Sequence, residues 1–369
     1  MSQILTNVEY KTIGDQLTSS EFNDVVEAVD NNAQDAEPIL ASMEYIDEDI
    51  TDIEQTHINN IQSYTVDNLP ILSIEGTPAF SVEMGRPIYF KNGAWCRMHD
   101  DFPLNNLTEV DVFIVMGQSN GDGKADYANL STEIKDIPRS DILIHSASLE
   151  NDGSYIPGSW QVIDPGVNTS VQGGKFGPEL GMADTINGYV NNPTEDPDFN
   201  KPVYILKFTK GGMSLAVEWD SEHADNIAYQ GMIKTFDDGR SQIVDDGHIY
   251  NIRGVIWYQG ESDAITQTYA ESYQSNFVSL INDIRVKLNS PNLPFVAVKV
   301  GAGPTKTGDF PYIDTVRSAI QNVADDENVD NVDTLDALDY TFRSDDVHLN
   351  SDGMYQLGID SVSKLRSMF

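Results

Sequence analysis

The chain has 369 residues, more than a single domain usually holds, so we expect one main domain and an appendage. Its 59 acidic and 22 basic residues give a formal net charge of −37 at pH 7. A surface this acidic repels phosphate backbones and anionic lipid, which argues against nucleic acid or membrane partners. We otherwise attribute the negative charge to a role in solubility.

Cysteine content and apolar runs restrict the class further. Cys96 is the only cysteine, so no intrachain disulfide can form. The N-terminal residues lack the basic start and apolar stretch of a signal peptide, and no apolar run reaches the roughly eighteen residues of a membrane span. We therefore expect a protein that is soluble when made and that reaches any extracellular site without a cleaved secretory signal.

Residues 1–69 are predicted to form a helical stalk. From Ile39 to Ile53 the apolar residues are spaced four, three, four and three positions apart, which is heptad spacing. Isoleucine in both core positions favours three strands in a parallel coiled coil, so a homotrimer is expected. Pro38 interrupts the region, which leaves one helix or two open, and a monomeric helix packed on its own domain is the alternative.

Residues 70–106 are predicted to form a small β connector. Two short apolar runs, Pro87–Phe90 and Ala94–Arg97, flank Lys91-Asn92-Gly93. Asn-Gly between such runs is a strong signal for a tight β-hairpin turn.

Residues 107–369 alternate strand and helix patterns. Short apolar runs typical of buried parallel strands lie at Val110–Met116, Val203–Phe208, Gly254–Trp257 and Phe295–Val300. Helical patterns cover Tyr269–Leu288 and Ser351–Phe369. This alternation predicts an α/β fold, a three-layer α/β/α sandwich with a mainly parallel sheet. The loops at the carboxyl ends of its strands would form the ligand crevice.

A candidate nucleophile follows the first of these strands. In Gly117-Gln118-Ser119-Asn120-Gly121, the serine stands between small residues just past Val110–Met116. Such a serine can project its hydroxyl at the sheet edge, and its own N–H can face an oxyanion. A glycine-rich turn with a capping serine is the alternative.

A candidate base precedes the last helix. In Asp345-Asp346-Val347-His348, an aspartate three residues before a histidine can reach the imidazole and fix its tautomer. Asp346 competes for this role, although its spacing points it elsewhere. A capping or packed histidine is the alternative to a catalytic one.

Two further strand-end loops carry glycines and polar side chains. They are Lys207–Leu215, after Val203–Phe208, and Trp257–Asp263, after Gly254–Trp257. Backbone or amide N–H groups in these loops can meet a developing oxyanion. Nucleophile, base and donors therefore fall on four strand-end loops of one predicted domain.

At these residues the chain resembles the SGNH hydrolase superfamily, and within it the sialate O-acetylesterase and acetylxylan esterase group (carbohydrate esterase family six). The resemblance spans about residues 107–369 and rests on four motifs in the same order. The motifs are Gly117-Gln118-Ser119-Asn120, Lys210-Gly211-Gly212-Met213-Ser214-Leu215, Trp257-Tyr258-Gln259-Gly260-Glu261 and Asp345-Asp346-Val347-His348-Leu349.

The resemblance implies a serine esterase. The six histidines show no metal-ligand spacing with cysteine or paired carboxylates, so no metal or cofactor is expected. The resemblance implies Ser119 as nucleophile, His348 as base and Asp345 as the acid that orients the base. The implied oxyanion hole consists of the Ser119 N–H, the Gly212 N–H and the Gln259 side chain. The implied supporting residues are Gln118, Asn120 and Glu261. The chain departs from the pattern at Gly121-Asp122-Gly123, where relatives often place a larger residue, so its selectivity is expected to differ.

The N-terminal region resembles the start of many phage tail-fibre and tailspike chains. The similar segments are Thr12–Thr18, Glu21–Asn23, Gly85–Phe90 and Asn92–Trp95. They predict a virion or otherwise extracellular esterase that acts on an O-acetylated bacterial surface polysaccharide and contacts tail or baseplate proteins. The alternative is a receptor-binding fibre tip with an esterase-like fold and no turnover, and a lipase or thioesterase is a second rival.

Overall fold

The computed structural model describes residues 108–190, 201–306 and 308–368, together with four strands between residues 63 and 97. The predicted stalk of residues 1–69 lies outside the described residues, apart from a strand at Ser63–Tyr64. The described chain belongs to two compact units, and residues 109–246 and 250–369 form the larger one.

The four N-terminal strands form one small sheet. They are β1 (Ser63–Tyr64), β2 (Pro78–Ser81), β3 (Arg86–Lys91) and β4 (Ala94–Arg97). β3 and β4 pair antiparallel with Lys91 opposite Ala94. The hairpin that the Asn-Gly turn predicts is therefore confirmed.

The larger unit is built on an eight-stranded sheet. Its strands are β5 (Thr108–Gly117), β7 (Ile142–Leu149), β8 (Tyr155–Ile156), β9 (Trp160–Val162), β11 (Val203–Thr209), β12 (His248–Tyr258), β13 (Phe295–Lys299) and β14 (Val332–Asp336). The order is β14-β13-β12-β5-β11-β7-β8, with β9 also paired to β7. β11 runs parallel to β5 and β7, and β13 runs parallel to β12 and β14. Two short strands, β6 (Ala125–Asp126) and β10 (Lys175–Phe176), pair separately.

Helices cover both faces of this sheet. They are α1 (Ser119–Asp122), α2 (Thr132–Lys135), α3 (Glu179–Val190), α4 (Ile227–Asp245), α5 (Gln267–Lys287), α6 (Ile313–Ala324) and α7 (Ser351–Arg366). Every residue of β11 is buried. Because successive side chains of a strand point to opposite faces, this pattern requires cover on both sides. The predicted α/β fold with a mainly parallel sheet is confirmed.

An aromatic cluster connects the core to the strand ends. The Trp257 ring lies edge-on to Trp219, with 5.0 Å between centroids, and stacks on Phe277 at 5.9 Å. Trp257 also donates from its indole nitrogen to the Tyr273 hydroxyl at 3.1 Å. That hydroxyl donates to the backbone oxygen of Gln259 at 2.8 Å, so core packing fixes the loop after β12.

The predicted elements are present with shifted ends. β12 begins at His248, six residues before the predicted start, and α7 ends at Arg366. In α5, Tyr273, Phe277, Leu280, Ile281 and Ile284 form one buried apolar face. Among the described residues, no helix is long and apolar enough to cross a membrane.

Candidate active site

The turn that carries Ser119 lies between the ends of β5 and β12. Gly117 has φ +136°, and a Cβ atom at this position would lie 2.1 Å from the backbone oxygen of Tyr258. Only glycine allows this backbone conformation and this close approach. The Gln118 N–H donates to the same oxygen at 3.0 Å, which holds Ser119 at the carboxyl edge of the sheet.

Ser119, His348 and Asp345 form a hydrogen-bonded series. The distance from the Ser119 Oγ to the His348 Nε2 is 2.9 Å, and the distance from the His348 Nδ1 to the Asp345 Oδ2 is 3.1 Å. Serine and histidine are 229 residues apart in the chain. In this arrangement the imidazole can accept the serine proton while the carboxylate fixes its tautomer.

Backbone hydrogen bonds keep Asp345 in place and ionised. Its Oδ1 accepts from the N–H groups of Val347 at 3.0 Å and His348 at 2.9 Å. Partial burial raises the pKa of Asp345, but these bonds and the contact with His348 outweigh it, so the pKa lies below its ordinary value. Asp346 turns away, with φ +56°, and accepts from the Thr305 N–H at 3.2 Å. The structure thus places Asp345, and not Asp346, against the imidazole.

Asn120 joins three loops beneath this series. Its Nδ2 donates to the Glu261 Oε1 at 2.7 Å and to the Val347 oxygen at 3.1 Å. Its Oδ1 accepts from the Leu349 N–H at 3.2 Å. Asn120 is fully buried and Glu261 is 2% exposed, so neither side chain faces an incoming substrate.

Burial perturbs two carboxyl groups behind the site. Burial raises the pKa of Glu261 to about 7, against the lowering effect of its hydrogen bond from Asn120. Burial also raises the pKa of Asp263 to about 6, although it accepts from Gln259 and from two backbone N–H groups. Both groups therefore titrate nearer to neutral pH than an exposed carboxyl group does.

Gly212 and Gln259, the other implied oxyanion donors, differ in position. A Cβ at the neighbouring Gly211 would lie 3.7 Å from the Ser119 Cβ, so this loop faces the nucleophile. Gly212 has φ +79° and open space where a side chain would project. The Gln259 Nε2, fully buried, donates to the Asp263 Oδ2 at 2.6 Å and the Met213 oxygen at 3.0 Å. Its two hydrogens are thus already directed at protein acceptors.

Gln118 supports the same loop. Its Oε1 lies 3.3 Å from the Gln259 Nε2 and accepts from the Ser262 N–H at 3.3 Å. The motif after β5 and the motif after β12 are therefore bonded directly to each other. Within residues 108–190, 201–306 and 308–368, no group of three or more His, Cys, Asp or Glu side chains could hold a metal ion.

A buried ion pair under the nucleophile turn was not predicted. The side chains of Lys207 and Glu179 are both 0% exposed and lie 2.7 Å apart. The Lys207 Nζ also donates to the backbone oxygens of Asp122 and Thr169, each at 2.7 Å. The signal available in the sequence was a single charged residue inside the apolar run of β11.

The Gly121-Asp122-Gly123 segment has a packing explanation. A Cβ at Gly123 would lie 2.2 Å from the backbone of Phe176 and Gly177, and φ there is +96°. The Asp122 carboxylate is buried and accepts from the Ser170 hydroxyl at 3.0 Å and the Val171 N–H at 3.1 Å. These contacts tie the end of α1 to a neighbouring loop.

A serine, an imidazole and a carboxylate bonded in series at the carboxyl edge of a parallel sheet place the chain in the class of serine hydrolases. Residues 109–366 match the family described as carbohydrate esterase, sialic acid-specific acetylesterase. The chain belongs to this family and is a carbohydrate O-acetylesterase.

Individual proteins show the same similarity. A probable carbohydrate esterase of Arabidopsis thaliana is 28% identical over 271 residues, which cover 70% of this chain and 91% of that protein. A crystal structure of an A. thaliana protein superposes with a TM-score of 0.52 at 26% identity, over 70% of this chain and 99% of that chain. A carbohydrate acetylesterase from Xanthomonas citri gives a TM-score of 0.48 at 19% identity, over 70% of this chain and 56% of that chain.

Proposed function

We propose that Ser119 is the nucleophile of this esterase, with His348 as general base and Asp345 as the residue that orients the base. The observation that carries the proposal is the 2.9 Å contact between the Ser119 Oγ and the His348 Nε2. This distance lies within the range over which a base can take a proton. The Asp345 contact supports the proposal, because it leaves the Nε2 position of the ring free to accept.

In the first half of the reaction, the Ser119 oxygen forms a bond to the acetyl carbonyl carbon and its proton passes to the His348 Nε2. The carbonyl oxygen becomes an oxyanion, which backbone N–H groups stabilise. The N–H groups of Ser119 and Gly212 are the proposed donors. The third proposed donor is the Gln259 amide, which has to turn one hydrogen away from the Met213 oxygen in order to reach the oxyanion.

The bond to the sugar oxygen then breaks and the imidazolium returns its proton to that oxygen, which leaves the acetyl group on Ser119. In the second half, His348 takes a proton from water as the water oxygen attacks the acetyl carbon. The bond to the Ser119 oxygen breaks, the imidazolium returns the proton to that oxygen, and acetate leaves. The ionised Asp345 stabilises the imidazolium at both stages.

The setting that we propose is a tail fibre or tailspike of a virion, or another extracellular location. The proposed substrate is an O-acetylated bacterial surface polysaccharide. The heptad spacing between Ile39 and Ile53 supports a homotrimer, and the short N-terminal resemblances support an attachment role next to tail or baseplate proteins.

Acetate release from a panel of O-acetylated polysaccharides tests the proposal. Ser119→Ala should lower the rate by more than about 10³-fold while the protein stays folded. Ser275→Ala, on the exposed face of α5, is the matched control and should keep full activity. Undiminished turnover by Ser119→Ala would remove Ser119 from the reaction. Polysaccharide binding without acetate release by the wild type would support the receptor-binding alternative.

A further inference from the structure

Asn120 contacts the chain on both sides of His348. Its Nδ2 donates to the oxygen of Val347, and its Oδ1 accepts from the N–H of Leu349. These two residues directly precede and follow the histidine. Because Asn120 also directly follows Ser119, one side chain ties the backbone of the nucleophile to the backbone that carries the imidazole.

Other contacts anchor the histidine loop both within itself and to its neighbours. The Asp346 oxygen accepts from the Gly303 N–H at 2.7 Å, and Arg343 donates from its Nη1 to the Lys124 oxygen. Asp345 accepts from the N–H of His348, and the His348 oxygen accepts from the Arg343 N–H at 2.7 Å. Arg343 and Asp346 precede the histidine by five and two residues. Asn120 instead holds the residues directly before and after the histidine, and it directly follows Ser119.

Glu261 holds the Asn120 amide in orientation. The contact between the Asn120 Nδ2 and the Glu261 Oε1 is 2.7 Å, shorter than the two other bonds of Asn120. The second oxygen of Glu261 is buried and has no hydrogen-bond partner within the described part of the chain. A turned amide would present its oxygen to the carboxylate and its nitrogen to the Leu349 N–H, so Glu261 disfavours the wrong rotamer.

We propose that Asn120 and Glu261 are a positioning pair that sets the distance between the Ser119 hydroxyl and the His348 imidazole. The inference rests on the proposed function, because it concerns proton transfer between those two groups. Both side chains are buried, so they act through the loop backbone and do not touch substrate. A displacement of about 1 Å between reacting groups lowers a rate by about 10²-fold.

The test measures how fast a serine-directed fluorophosphonate labels Ser119 in the full chain. This probe needs an activated serine and no sugar, so its rate is independent of which polysaccharide is the substrate. Asn120→Ala should slow labelling by about 10²-fold. In acetate release from 4-nitrophenyl acetate, the same variant should lower kcat with KM nearly unchanged.

A donor exchange distinguishes positioning from general stability. Asn120→Asp keeps an acceptor for Leu349 but places a second carboxyl beside Glu261, so labelling near pH 8 should fall by about 10²-fold. Adding Glu261→Gln supplies an amide donor to that carboxyl and should recover about 10-fold. Glu261→Gln alone keeps an acceptor for Asn120 but also offers a donor to the turned amide, so labelling should slow by about 5-fold.

Matched controls are Asn322→Ala, which removes an exposed hydrogen bond from α6, and Glu271→Gln, which removes the charge from an exposed hydrogen-bond acceptor on α5. Both should label at the wild-type rate. The positioning role is overturned if wild type is labelled and the folded variants Asn120→Ala and Asn120→Asp react as fast as wild type. It is also overturned if the double variant gains nothing over Asn120→Asp. A wild type that neither labels nor releases acetate refutes the proposed function itself, and the positioning role falls with it.

Discussion

Lys207→Met should destabilise the fold through the ion pair beneath the nucleophile turn. The Lys207 Nζ makes three bonds of 2.7 Å, to the Asp122 oxygen, the Thr169 oxygen and the Glu179 carboxylate, and both charged side chains are 0% exposed. Removing one partner of a buried pair costs about 3–5 kcal/mol. Burial already raises the pKa of Glu179 beside the ammonium. The unpaired Glu179 carboxyl should therefore take up a proton, which brings the loss in the free energy of unfolding to about 3 kcal/mol.

Urea unfolding followed by tryptophan fluorescence measures this loss. Lys234→Met is the matched control, because Lys234 is 54% exposed and lies 3.3 Å from Asp238, a pair expected to contribute below about 1 kcal/mol. Adding Glu179→Gln to Lys207→Met should recover part of the loss by removing the unpaired carboxyl. If Lys207→Met were as stable as Lys234→Met, a stabilising role for the pair would be refuted.

Two other predictions concern single positions. Gly117→Ala should abolish activity and lower Tm by several degrees, because its Cβ would lie 2.1 Å from the Tyr258 oxygen. The control is Gly173→Ala, which has no atom within 4 Å of the new Cβ and should match wild type in both activity and Tm. The pKa of Glu261 is raised from 4.5 to about 7. The contribution of this group to the stability of the fold is therefore fully present below pH 4.5 and is lost as the pH rises through about 7. The free energy of unfolding of Glu261→Gln should therefore exceed that of wild type, and the difference should grow to about 3 kcal/mol between about pH 5 and pH 8. A difference in unfolding free energy that does not depend on pH would contradict this reasoning.

The local geometry around the serine and histidine followed from the sequence because short-range rules govern it. A three-residue spacing lets Asp345 reach the His348 imidazole, and the structure shows that contact. A serine just past a buried strand lies at the carboxyl edge of the sheet, where Ser119 is found.

Long-range packing explains what the sequence did not predict. The partner of Lys207 is 28 residues away and is defined only by the folded chain. Gly231 and Gly239 weaken the helical pattern of α4, yet Cβ atoms there would lie 2.4 Å from the Phe208 ring and 2.6 Å from the Leu206 side chain. Tertiary packing of this helix on β11 therefore overrides its low intrinsic propensity.

Local sequence patterns also do not predict the strand β14 or the direction in which the Gln259 amide points. Val332–Asp336 is the outermost strand beside β13, and its partly exposed polar residues hide the apolar alternation. The acceptors of the Gln259 amide, Met213 and Asp263, come from two different loops. No spacing rule predicts the direction in which that amide points.

Trapping the acetyl-enzyme tests the central claim most directly. The protein is mixed with 4-nitrophenyl acetate, quenched in acid within one turnover, digested and analysed by mass spectrometry. The 2.9 Å contact between Ser119 and His348 predicts one acetyl group on the peptide that contains Ser119 and none in Ser119→Ala. Acetate release at the wild-type rate by Ser119→Ala, or an acetyl group on another residue in wild type, would contradict the assignment of Ser119 as nucleophile.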